Sequence, residues 1–177
     1  AKVEAISLIQ TSASLFEGGY DERIKALITE HTGAPAYTSA EAIGAAARAL
    51  GTRKIALVSP YSEQVIGQAK NYFEADCALE VVAMEGFGST DAYAIGALDE
   101  SHAVEAFERV NSPEIEALVV PGGNFPTMRH IAFWEARFEK PVITTNQVVL
   151  WSMMANLGVK DPIAGHGRLL AEVPDWA

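Results

Sequence analysis

Short, apolar, β-rich runs alternate with longer amphipathic runs from one end of this chain to the other. No other feature constrains the fold as tightly. A strand that is followed by a helix and then by another strand in the same direction builds a parallel sheet, and helices must cover both of its faces.

Strands are predicted over residues 3–9, 36–39, 54–59, 79–84, 117–120 and 141–145. Helices are predicted over 21–31, 41–50, 101–110, 128–138 and 147–157, with a further one opening after Ser62. The helical spacing puts Ile24, Leu27 and Ile28 on one face of the first helix, and Ile43, Ala46, Ala47 and Leu50 on one face of the second. Gly51 stands where a helix C-cap belongs, and Ser62 where an N-cap belongs, ahead of Val65, Ile66, Ala69 and Phe73. The expected fold class is α/β: two Rossmann-like lobes with parallel sheets, pseudo-symmetric, with a ligand cleft between them. The lobes divide as 1–50 plus 151–177, and 51–150. The first lobe is about one βα unit short of a closed sheet, so it is expected to be N-terminally incomplete or to be completed by a partner.

Composition narrows the class of function. With 13 basic and 23 acidic residues the net charge is -10, which repels phosphate backbones and anionic lipid heads. Neither nucleic acid nor membrane is an expected partner, and no apolar run is long enough to span a bilayer. The single cysteine, Cys77, cannot form an internal disulfide, and no Cys/His cluster has metal-ligand spacing. No metal and no cofactor are expected. The simplest compartment is the cytoplasm, and homo-oligomerisation is left open.

In an open parallel sheet, ligands bind beyond the carboxyl ends of the strands. Four strand ends here carry small or polar loops: Thr11-Ser12, Tyr61-Ser62, Gly122-Gly123-Asn124 and Thr144-Thr145-Asn146. Singly, Thr-Ser reads as a helix cap and Gly-Gly as a turn. Repeated at four strand ends, they read as hydroxyl, phenol and amide donors for an anion.

The sequence context of these loops resembles a known family. Gln10-Thr11-Ser12, followed by Gly18-Gly19 and a helix and then by Thr32-Gly33-Ala34-Pro35, is similar to a first catalytic loop and its sequel. The run from Ala49 to Tyr61 is similar to the link into the second lobe. Pro121-Gly122-Gly123-Asn124 falls at the second catalytic loop. Lys140 to Trp151, with its Asn-Gln-x-x-x-Trp, resembles the strand and helix after that loop, and Gly165-His166-Gly167-Arg168-Leu169 matches a closing Gly-x-Gly-Arg-Leu. Together these resemble the arylmalonate decarboxylase and maleate isomerase branch of the aspartate/glutamate racemase superfamily, over nearly the whole chain. An opening βα unit that helps wall the family's pocket has no counterpart here.

The resemblance implies that Thr11, Ser12 and Tyr61 donate hydrogen bonds to a substrate carboxylate that becomes an enediolate. Such donors typically contribute about 3–4 kcal/mol each. Gln10, Pro121, Gly122, Gly123, Asn124, Thr145 and Asn146 would complete the substrate site. Racemases and isomerases of the superfamily place a thiol on each face of the substrate, and the decarboxylase keeps only the second. Here Gln10 stands at the first position, and Pro121 or Gly122 at the second. None of them can serve as a thiolate or shuttle a proton near neutral pH. Proton delivery then falls to water, His166 or Tyr61.

Other candidates read more plainly. Cys77, between two acidic residues and a strand, is expected to be structural. His102 and His130 are expected on solvated helix faces, Glu85 as a solvated loop acid, and Arg129 in a surface ion pair. Phe125, Phe133, Trp134 and Trp151 are expected as core or pocket wall. Two functions remain open: a cofactor-independent lyase or isomerase of a small mono- or dicarboxylic acid, and a pseudoenzyme that binds a carboxylate without turnover.

Overall fold

The computed structural model describes residues 2–89 and 91–172. Strands β1 (Ile6–Leu8) and β2 (Ala36–Thr38) pair in parallel as a two-stranded sheet. Strands β3 (Lys54–Ser59), β4 (Glu80–Gly86), β5 (Ala117–Val120) and β6 (Val142–Thr144) form a second parallel sheet in the order β4-β3-β5-β6. The connections contain α1 (Thr11–Ser14), α2 (Tyr20–Thr32), α3 (Ser39–Ala49), α4 (Glu63–Ala75), α5 (Ala92–Gly96), α6 (Glu100–Val110), α7 (Ile131–Phe138), α8 (Thr145–Asn156) and α9 (Arg168–Glu172). Among the described residues, no helix is long and apolar enough to cross a membrane.

The four-stranded sheet separates two apolar cores, because successive residues of a strand point to opposite faces. Ile55, Leu57, Ala117, Val119 and Ile143 face one core with Phe73, Trp151 and the alanines of α3. Ala56, Val58, Leu118, Val120 and Val142 face the other with Phe107, Phe125 and Trp134. This two-sided burial is why β3 and β5 read as continuous apolar runs in the sequence rather than alternating ones. Small residues let α3 come close to its neighbours: a Cβ added at Gly44 would lie 2.5 Å from the Cys77 sulfur.

The two sheets echo one another. β1, a polar loop, β2 and α3 repeat in kind as β5, a glycine loop, β6 and α8. Thr38 and Thr144 occupy the N-caps of α3 and α8 in nearly the same extended conformation, φ -120° and -124°. Thr144 closes a capping box with Gln147, while the Thr38 hydroxyl reaches Glu41. Helices α3 and α8 pack against each other, so the helix that follows β2 shares the core of the four-stranded sheet.

Several boundaries differ from expectation. Residues 11–14, read as loop, form a single helical turn, and α5 and α9 were not anticipated from the pattern. α7 starts at Ile131 rather than 128, because Thr127 to His130 closes a separate turn just after Pro126. Gly51 has the expected left-handed conformation, φ +68°. Ser62 stands at the N-cap of α4 but makes no side-chain capping bond. Leu27, expected to be inside, is 51% exposed. A two-stranded sheet offers α2 too little area to cover its apolar face.

Candidate functional site

Strand ends from both sheets meet at one place. Thr11, the first residue of α1, follows β1 and is 1% exposed. Its Oγ1 lies 2.9 Å from Ser39 Oγ, at the start of α3, and 2.9 Å from Thr145 Oγ1, at the start of α8. The Gly122 backbone N–H donates to Thr145 Oγ1 at 2.9 Å. Thr11, Ser39, Thr145 and Gly122 therefore gather the ends of β1, β2, β6 and β5 along one chain of hydrogen bonds.

Tyr61, after β3, adds the fifth strand end. The Ser12 hydroxyl and backbone N–H favour the ionised phenol, but burial outweighs them and pushes Tyr61 up to about 12. Near neutral pH it is a protonated donor. The end of β4 braces it from behind: Gly88 N–H donates to the Tyr61 carbonyl, and Ser89 N–H to that of Pro60.

Glycine is required on the facing loop by conformation and by space. Gly122 has φ +130°, and an added Cβ would stand 3.1 Å from the Pro60 ring and 3.8 Å from the Tyr61 ring. At Gly123 the same atom would meet the Ile9 carbonyl at 3.1 Å. Asn146 Nδ2 donates to the Phe125 carbonyl at 3.1 Å, which holds this loop against α8. Pro121 is buried, its carbonyl accepting from Ser59 Oγ at 2.8 Å, whereas Gln10 and Asn124 are exposed.

Of the residues singled out in the sequence, the structure thus brings Thr11, Ser12, Tyr61, Gly122, Gly123 and Thr145 together. Among the described residues no hydrogen bond links His166 to that group. The His166 Nδ1 lies 3.1 Å from the Met128 carbonyl, and its own carbonyl accepts from Gln147. Ser39 was missed. Its signal was present, since Tyr37-Thr38-Ser39 repeats Ile143-Thr144-Thr145, a hydroxyl pair ending a strand and opening a helix.

The remaining candidates separate clearly. Cys77 is buried, and loss of solvation, partly offset by Arg48, pushes its thiol up to about 12. His130, expected in solvent, is buried, with Nδ1 2.8 Å from Glu100 and Nε2 accepting from Arg129 at 2.9 Å. Arg129 accordingly faces an imidazole rather than a carboxylate. Glu85 is no loop acid: it lies on β4 and accepts from Arg109 through both oxygens. Phe125, Trp134 and Trp151 are core, while Phe133 is 51% exposed. Among the described residues, no group of His, Cys, Asp and Glu is arranged to hold a metal ion.

Two parallel sheets whose strand ends pool hydroxyls and a phenol at one junction define an α/β protein with a polar strand-end site. A family model described as arylmalonate decarboxylase matches residues 1–170, and the chain belongs to that family. The arylmalonate decarboxylase of Bordetella bronchiseptica is 28% identical over 174 residues, 94% of this chain and 71% of the relative. The maleate isomerase of Alcaligenes faecalis is 23% identical over 144 residues; the match takes in 81% of this chain but only 56% of that enzyme. Among solved structures, the maleate isomerase Iso from Pseudomonas putida S16, in a variant form with maleate, has a TM-score of 0.88 at 24% identity, covering 96% of this chain and 70% of that one. A crystal structure of arylmalonate decarboxylase has a TM-score of 0.83 at 25% identity, covering 96% and 76%.

Proposed function

We propose that the chain is a cofactor-independent lyase or isomerase of a small mono- or dicarboxylic acid, working through an enediolate. One observation carries this reading: donors from separate strand ends, at the junction of the two sheets, converge around Thr11. In a malonate-like substrate, Thr11, Ser12 and Tyr61 hold the retained carboxylate. When the other carboxylate leaves as CO2, the electron pair of the broken C–C bond enters the enediolate, whose oxygens the same donors stabilise. Protonation at carbon completes the reaction. Gly123 and Asn124 line the opposite wall, with Gln10, Pro121 and Asn146 around them. On this reading the cleft lies between a first lobe of 1–50 plus 151–177 and a second of 51–150, of which residues 1, 90 and 173–177 lie outside the described residues.

The proton comes from water, His166 or Tyr61, since burial pushes the Cys77 thiol up to about 12 and keeps it protonated. A second reading has one observation in its favour. Gln10 stands in the first loop where a thiol would act and Pro121 or Gly122 in the second, and burial pushes the chain's single thiol, Cys77, up to about 12. On that reading the protein binds carboxylates and does not turn them over.

Proton NMR in D2O with phenylmalonate, methylmalonate and maleate separates the two. Loss of CO2, cis-to-trans conversion or deuteration at the α-carbon supports catalysis. A thermal shift without any of these supports binding alone. Neither response, with the folded protein at millimolar ligand, removes the carboxylate assignment.

A further inference from the structure

We propose that Thr145 does not touch the substrate but relays the Gly122 backbone N–H to Thr11, so that the hydroxyl chain leaves a single O–H to donate at its Thr11–Ser39 end. The inference rests on the carboxylate reading above. A hydroxyl has one hydrogen to donate and two lone pairs to accept with. Thr145 Oγ1 accepts from Gly122 N–H, and Thr145 is 1% exposed. Its hydrogen has one oxygen within reach among the described residues, Thr11 Oγ1 at 2.9 Å, and leaving it unpaired would be costly.

This fixes the direction of the hydroxyl chain. Gly122 donates to Thr145, and Thr145 donates to Thr11. The Thr11–Ser39 contact uses one of the two remaining hydrogens. The other is left over, on Thr11 or on Ser39, for a ligand. Each link polarises the next, so a backbone dipole strengthens a donor two hydroxyls away. The Gly122 amide, at the end of β5, thereby acts on the ligand without contacting it, and Thr145 is a positioning residue.

The test uses Thr145→Val, which keeps the shape and removes the hydroxyl, and Thr145→Ser, which restores it. In the ligand-free protein, the Gly122 amide proton should move upfield in Thr145→Val and stay near its original position in Thr145→Ser. Malonate binding by calorimetry should weaken about ten-fold in Thr145→Val and recover in Thr145→Ser. Malonate should also shift the Gly122 amide of the wild type but not that of Thr145→Val. A Gly122 response that survives in Thr145→Val means direct contact and overturns the relay, as does a serine variant that behaves like valine. Should Thr145→Val fail to fold, Thr145→Ser against wild type still decides, because loss of the malonate response of Gly122 in a variant that keeps the hydroxyl refutes the relay. If the wild type binds no carboxylate, the proposed function fails, while the amide shift of the free protein still judges the relay by itself.

Discussion

At the scale of single residues, the chemistry depends on which protons stay in place. Burial raises the Tyr61 phenol to about 12 from an ordinary 10, so folding favours its neutral form. The stability this contributes is complete below pH 10 and is lost between pH 10 and about 12. Burial and the neighbouring Asp21 raise Tyr72 as well, so titration followed at 295 nm should show two late-ionising tyrosines, of which only that of Tyr72 remains in Tyr61→Phe. The same substitution should lower turnover about 100-fold to 1,000-fold if the enediolate forms, as loss of one oxyanion donor typically does. Unchanged rates would place the chemistry elsewhere. Cys77 should resist thiol reagents at pH 8 until the protein is unfolded, and Cys77→Ala should retain activity, because its thiol is buried and protonated. Rapid labelling of the native thiol would contradict this. Thr11, Ser12, Tyr61 and Gly122 were legible in the sequence because each lies within three residues of the end of an apolar run. Ser39 carried a signal only through its echo of Thr145, because a serine opening a helix, taken alone, looks the same whether it caps or binds.

At the scale of elements, the closing turn is locked by a buried carboxylate. Glu135 on α7 accepts from Val142 N–H at 3.1 Å and Arg168 N–H at 2.9 Å, joining β6 and α9. Gly167 sits under it with φ +85°, where an added Cβ would approach Ile131 at 2.5 Å and Gln147 at 2.7 Å. Gly167→Ala should therefore cost about 3 kcal/mol or more, seen as a lower melting temperature, since neither the conformation nor the space allows a methyl group. A melting temperature within a degree of wild type would show that the turn can move aside. The strands were legible at this scale because parallel strands buried on both faces leave unbroken apolar runs. Helices α1, α5 and α9, of four to five residues, are too short to show a period. Leu27 misled because helical spacing identifies an apolar face but not whether anything covers it.

At the scale of the whole molecule, the net charge of -10 opposes the approach of an anion, and only the local donors at the strand ends offset it. Malonate should then bind more tightly, with faster association, as ionic strength rises from about 10 to about 150 mM and the Debye length shrinks from about 30 to about 8 Å. Stopped-flow association rates that fall over this range would mean that a local positive field dominates.

The order of strands and helices, the turns that need glycine and the acidic balance were determined by the sequence alone, since each is a property of neighbouring residues or of composition. Only the tertiary structure decided that hydroxyls 28 and 134 positions apart share Thr11, that Glu100 meets a buried His130, and that His166 Nδ1 meets the Met128 carbonyl. The reason is physical: a hydrogen bond needs its atoms about 3 Å apart, and at such separations along the chain only the packing of the sheets and of α3 against α8 brings them there.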